Sequence, residues 1–167
     1  MEEMKNLLPL KYIGYAIVCE EVPDEISIAF NISGCQHRCP DCHSKYLWEY
    51  NGEYLKNDLQ KIISNYDGLI TCVCFLGGDQ NINELSELCM IAKENNLKTC
   101  IYSGEDYVGP FNDLINNNLI DYLKIGKYIS ICGSLNSPNT NQRMYLIKNK
   151  ILKDITYRFQ KPIERIT

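Results

Sequence analysis

Leu69-Ile70-Thr71-Cys72-Val73-Cys74-Phe75-Leu76 is an apolar run interrupted only by Thr71 and stopped by Gly77-Gly78. A short run with so little polarity is expected of a parallel strand covered on both faces. Ile26-Ser27-Ile28-Ala29-Phe30-Asn31-Ile32 instead alternates large apolar residues with small or polar ones, so it is a strand with two different faces. Its large residues should pack against helices. Its small set, Ser27, Ala29 and Asn31, should face an interior with room for a ligand. Lys98–Tyr102 and Ile120–Ile125 are further strand candidates, and Tyr12–Val18 adds an early edge strand.

Helical periods separate these strands. Leu55, Leu59, Ile62, Ile63 and Tyr66 recur every 3.6 residues, as do Leu85, Leu88, Cys89 and Ala92, with Asn81 and Glu84 at the start of the second set. Pro110 after Gly109 opens a third, shorter helix through Asn116. Strands alternating with helices imply βα units and a parallel sheet. A chain of 167 residues is too short for an eight-fold barrel of about 250. The expectation is an α/β fold, an incomplete (βα) barrel of about five to six parallel strands, in a single domain over residues 1–167. Met144–Phe159 is ambiguous between strands and a turn or short helix.

The first residues, Met1-Glu2-Glu3-Met4-Lys5, carry no basic-then-apolar signal, and no apolar run approaches the roughly 18 residues that cross a bilayer. A cytoplasmic protein without a membrane partner is expected. The net charge of −4 argues against a nucleic-acid binder. The charge is uneven, however: residues 120–167 hold 9 Lys/Arg against 3 Asp/Glu. That basic tail is either a solvated face or a docking surface for an acidic partner.

Nine cysteines in a chain without a secretion signal are thiols and metal ligands rather than a disulfide framework. Cys35, Cys39 and Cys42 have C-x3-C-x2-C spacing, which lets a short loop wrap one face of an inorganic cluster. A [4Fe-4S] cube normally takes four thiolates, so three leave one iron open to an outside ligand. The spacing alone also admits a Cys3His zinc site completed by His37 or His43. Cys72 and Cys74 point the same way from one strand and are expected to be core thiols, as are Cys19, Cys89, Cys100 and Cys132. Trp48, with Tyr46 and Tyr50, follows the cysteine loop as a shield or a core anchor.

The cysteine loop opened by Ser33-Gly34-Cys35 is followed by Gly77-Gly78-Asp79, Tyr102-Ser103-Gly104, Gly126-Lys127-Tyr128 and Asn141-Gln142-Arg143. In this order the motifs resemble the radical S-adenosylmethionine (SAM) superfamily, and within it the activases of glycyl-radical enzymes, among them those serving anaerobic ribonucleoside-triphosphate reductase. The resemblance implies a [4Fe-4S] cluster on Cys35, Cys39 and Cys42, with SAM bound at the open iron. It also implies reductive SAM cleavage and removal of one hydrogen from a glycine of the reductase. The electron would come from a low-potential donor such as flavodoxin or ferredoxin.

By the same resemblance Gly77, Gly78 and Asp79 hold the SAM methionine amine; from their places at the same edge, Ser103 can hydrogen-bond the SAM carboxylate or ribose and Lys124 can neutralise that carboxylate, with Lys127 as a second candidate. Asp41, Cys42 and His43 approach SAM through backbone atoms. Arg143 docks a partner carboxylate or caps a helix end. The family commonly shows Asp-Gly-Lys where this chain has Ile125-Gly126-Lys127, and proline where it has Gln80. The alternatives are a radical SAM enzyme acting on another glycyl-radical enzyme or on a small molecule, and a non-catalytic zinc module.

Overall fold

The computed structural model describes residues 7–160. Residues 1–6, where no targeting signal was expected, and the last part of the basic tail with Lys161 and Arg165 lie outside the described residues. Strand β1 (Lys11–Val18) pairs antiparallel with β2 (Ser27–Ile32) and with the two-residue β3 (Glu53–Tyr54). Helix α1 (Leu55–Ser64) leads to β4 (Cys72–Leu76), α2 (Ile82–Glu94) to β5 (Lys98–Tyr102), and α3 (Asn112–Asn116) to β6 (Tyr122–Ile125). A hairpin of β7 (Arg143–Lys148) and β8 (Ile151–Asp154) follows. Together the strands form one sheet in the order β3-β1-β2-β4-β5-β6-β7-β8.

Only β2, β4, β5 and β6 run parallel, which corrects the expected five to six parallel strands to four. A parallel neighbour needs a crossover, usually through a helix, and the connection over 126–142 holds no helix. After β6 the chain instead turns back, pairing β7 antiparallel to β6, and then closes β7 onto β8 through Asn149-Lys150. Both turn residues have left-handed φ, +52° and +64°, which fits a two-residue hairpin. No described helix is long and apolar enough to cross a membrane.

The alternation in β2 sorts its side chains as expected. Ile28, Phe30 and Ile32 join Val73, Phe75, Ile101 and Leu123 in a core with Leu55, Leu59, Leu85 and Leu88 of the helices. Ala29 lies in the core of the opposite sheet face, with Cys72, Cys74, Cys100, Tyr122 and Met144. The register carries that face across the sheet: Asn31 pairs Leu76, Leu76 pairs Tyr102, Tyr102 pairs Lys124, and Lys124 pairs Met144. This row lies at the carboxyl ends of the parallel strands, where α/β folds present ligand sites. Cys72, Cys74, Cys89 and Cys100 are buried as expected, whereas Cys19 is exposed and Cys132 half-exposed.

Gly77 and Gly78 turn the chain sharply out of β4 with φ of +112° and +100°. A Cβ on Gly78 would meet Leu85, Ile32 and Leu10 at 3.1, 3.2 and 3.4 Å. Gly78→Ala is therefore expected to lose about 2–4 kcal/mol of stability from left-handed strain and crowding together. The loss should appear as a lower urea midpoint at unchanged m. Beyond this turn the Asn81 side chain accepts from the Glu84 backbone N–H at 3.1 Å and caps α2.

Candidate metal centre

The cysteine loop leaves β2 at a fixed point. The Ser33 N–H donates to Lys11 O at 2.9 Å, its hydroxyl donates to Asn51 O at 2.5 Å, and the Cys35 N–H donates to Leu47 O at 3.0 Å. Gln80 donates from Nε2 to Ser33 O at 2.9 Å, so the residue standing where proline is usual ties the Gly77-Gly78-Asp79 turn to the start of the loop. The Cys42 N–H donates to Cys39 O at 3.0 Å, and the Ser44 N–H points at Cys42 Sγ from 3.4 Å. Burial pushes the Cys35 thiol up despite the backbone N–H groups around it, so a metal must displace that proton on binding.

Cys35, Cys39 and Cys42 are half-buried and line one cavity of about 300 Å³. The carboxyl-end row forms its opposite wall through Asn31, Leu76, Tyr102 and Lys124, joined by Gly77, Asp79 and Ser103. Among the described residues, the three ligand atoms gathered within 4.8 Å of one another belong to His37, Asp79 and Glu105, not to the cysteines. Three thiolates on one tetrahedral zinc with Zn–S bonds of about 2.3 Å would stand roughly 3.8 Å apart. Around a cube each sulfur binds a different iron, which allows a wider spread. The donor set therefore fits an iron–sulfur cube better than zinc.

Asp79 anchors the wall facing the cysteines. Its Oδ2 meets His37 Nε2 at 2.6 Å and accepts from the Ser103 hydroxyl at 2.5 Å. Burial raises the Asp79 carboxyl, but His37 and Ser103 outweigh it and hold the group below the ordinary carboxylate range. The same contact raises the His37 imidazole above its usual value, against the opposing effect of burial. Gly104 permits this packing, since a Cβ there would lie 2.7 Å from the His37 ring.

Lys124 is 8% exposed, so it is no surface charge. Its ammonium donates to Gly126 O at 2.8 Å and Ser103 O at 3.2 Å. Burial lowers its pKa to about 8, while Cys39 and Asp79 pull it upward. A cation held beside thiols and a carboxylate can bind an anionic ligand group. Lys127 is exposed and does not line the cavity.

Other expected residues fall outside the cavity. Asp41 and His43 are exposed and do not line it, and His43 Nε2 instead meets Tyr128 OH at 3.3 Å. Gly78 is buried behind the turn. Arg143 lies 3.7 Å from Asp154 across the β7–β8 hairpin, capping no helix. Its neighbour Gln142 reaches the cavity while 5% exposed, and Asn141 donates to Lys127 O at 2.9 Å. Sequence reasoning missed Gln142, Tyr102 and Tyr128 as lining residues and weighed His37 only as a zinc ligand. Strand parity puts Tyr102 on the same Asn31 face as Lys124, which was a signal that it lines the site.

Three half-buried thiols at a wide spacing, opposite a buried cation, define an iron–sulfur protein. A family model described as a 4Fe-4S single cluster domain matches residues 26–151, and the chain belongs to that family. It is also 26% identical over 139 residues to a protein of Methanocaldococcus jannaschii provisionally named a glycyl-radical enzyme activating enzyme. The match covers 81% of this chain and 57% of the relative. No solved structure matches.

Proposed function

We propose that the chain is a radical SAM activase of a glycyl-radical enzyme, with anaerobic ribonucleoside-triphosphate reductase as its protein substrate. The observation that carries this reading is one cavity with Cys35, Cys39 and Cys42 on one side and Asp79, Ser103 and Lys124 on the other. The provisional name of the Methanocaldococcus jannaschii relative supports an activase, and the family description supports the single cluster. In this reading the sheet is the splayed radical SAM core.

The three cysteines would hold the cluster, which when reduced supplies the electron for SAM cleavage. Asp79 sits at the carboxyl end of β4, where its carboxylate can accept from the ligand's ammonium. Lys124, with one ammonium donor left beyond Ser103 O and Gly126 O, can neutralise and orient a carboxylate, while the Ser103 hydroxyl holds Asp79 in place. Leu76 and Tyr102 keep part of the cavity wall apolar, which limits water at the reacting centre. A low-potential cytoplasmic donor such as flavodoxin or ferredoxin would reload the cluster.

The test is anaerobic loading with iron and sulfide, followed by SAM, reductant and the reductase. A glycyl radical on the reductase by electron paramagnetic resonance is the expected result. SAM cleavage without that radical would move the activity to another glycyl-radical enzyme or a small molecule. One bound zinc, with no iron and no thiolate-to-iron absorption, would end the radical reading.

A further inference from the structure

The turn after β4 is tied to the cysteine loop at two points that flank Cys35. Gln80 donates to Ser33 O at 2.9 Å, two residues before that cysteine, and His37 Nε2 meets Asp79 Oδ2 at 2.6 Å, two residues after it. An ionised carboxylate only accepts, so the imidazole N–H and the Ser103 hydroxyl both donate to Oδ2. Neither bond uses Oδ1, which stays free to accept from a ligand.

The His37 side chain is 14% exposed and that of Asp79 7%. The ring fits only because residue 104 is glycine, since a Cβ there would lie 2.7 Å from it. Without the ring, Asp79 would follow two left-handed glycines, the residues with the freest backbone, and keep only Ser103 as a side-chain partner. A ligand that reaches both an iron held by the cysteines and the Asp79 carboxylate must find the two at one separation. Misplacement of about 1 Å is enough to slow a reaction steeply. The His37 bond fixes that separation, because it joins the arch carrying Cys35 to the carboxylate.

We propose that His37 is the positioning residue of the SAM site: it holds the Asp79 carboxylate in register with the cluster, and so sets both the affinity for SAM and the rate at which bound SAM is cleaved. The inference deepens the activase reading and rests on its assignment of Asp79 to the ligand's ammonium. A charged ring beside Asp79 would repel that ammonium, so a charge effect and a positioning effect have opposite signs.

The test compares His37→Phe, which keeps a ring against Gly104 but cannot donate, with His37→Gln, which restores an N–H donor. Both are loaded with iron and sulfide; SAM binding is measured by equilibrium dialysis, and 5′-deoxyadenosine formation in a single turnover with dithionite as reductant. Iron content should match wild type in both. His37→Phe should bind SAM at least about fivefold more weakly at an unchanged number of sites, and cleave bound SAM about tenfold more slowly. His37→Gln should recover most of both losses. Iron loss, fewer sites at unchanged affinity, binding as tight as wild type or tighter in His37→Phe, or no recovery in His37→Gln would each overturn the assignment. The brace itself is read in the unloaded chain, where the urea midpoints of His37→Phe, Asp79→Asn and the double variant should be non-additive. Non-additivity without SAM binding by the loaded wild type would sink the activase reading and leave the brace standing, whereas additive midpoints would remove the brace whatever the SAM result. Manganese(II) bound by the unloaded chain and lost in both single variants would make His37, Asp79 and Glu105 a cation site instead, and would also overturn the assignment.

Discussion

Replacing Cys39 with alanine is expected to abolish cluster loading, taking bound iron from about four per chain to near zero, together with the thiolate-to-iron absorption. Two cysteines would leave two irons of the cube open, and the cavity wall across from them presents a lysine and a hydrogen-bonded aspartate rather than a replacement thiolate. Folding should survive. Cys39 is only half-buried, belongs to neither hydrophobic core, and its loop is anchored through Ser33 and Cys35 rather than through the Cys39 side chain. The stability change should stay within about 0.5 kcal/mol for the unloaded chain, measured by urea unfolding. A variant that keeps a full complement of iron would show that the ligand set is wrong. One that loses iron and unfolds would show that the loop carries stability that its contacts do not reveal.

How far the sequence foretold this arrangement depended on how local the determinant was. The two faces of β2 follow from period-two alternation, and the Asn81 cap on α2 from a side chain reaching three residues ahead. Gly77 and Gly78 needed φ values that only glycine tolerates easily, so the end of β4 was legible. The β7–β8 hairpin was not. Its turn is Asn149-Lys150, without the glycine that usually marks such turns, and both strands carry lysines that suit a turn equally well. The number of parallel strands was misjudged for the same reason.

Within the site, Lys124 resembled any strand-end lysine, because its burial is imposed by Tyr102 on the neighbouring strand and by Gln142 beyond β6. The His37–Asp79 contact joins residues 42 positions apart through a bare Gly104 on a third segment. No short motif encodes such a meeting. Asp41 and His43 were expected at the ligand through backbone atoms only, and their exposed side chains neither support nor oppose that.

Lys124→Met is expected to weaken SAM binding to the loaded protein at least tenfold at neutral pH, read by equilibrium dialysis. One charge-assisted contact to a carboxylate in a water-poor cavity is worth about 1.5–3 kcal/mol, and tenfold corresponds to about 1.4 kcal/mol. Burial has already lowered the lysine to about 8, so much of its desolvation cost is met before the ligand arrives. An anion binds the ammonium and not the amine. Affinity should therefore be level below the free-site pKa and decline as pH rises above it, until the higher pKa of the bound complex is passed. The ligand's own amino group titrates in a similar range, so the difference between wild type and Lys124→Met isolates the lysine. The lysine can also be followed directly by NMR of its side-chain nitrogen. In the unloaded chain it should titrate near 8, and cluster loading should raise that value, because Cys35 and Cys39 face it and become fixed thiolates. A methionine variant that binds SAM within twofold of wild type would place the carboxylate elsewhere in the cavity. Ser103, already bonded to Asp79 and accepting from the Glu105 N–H, would then be the next residue to replace.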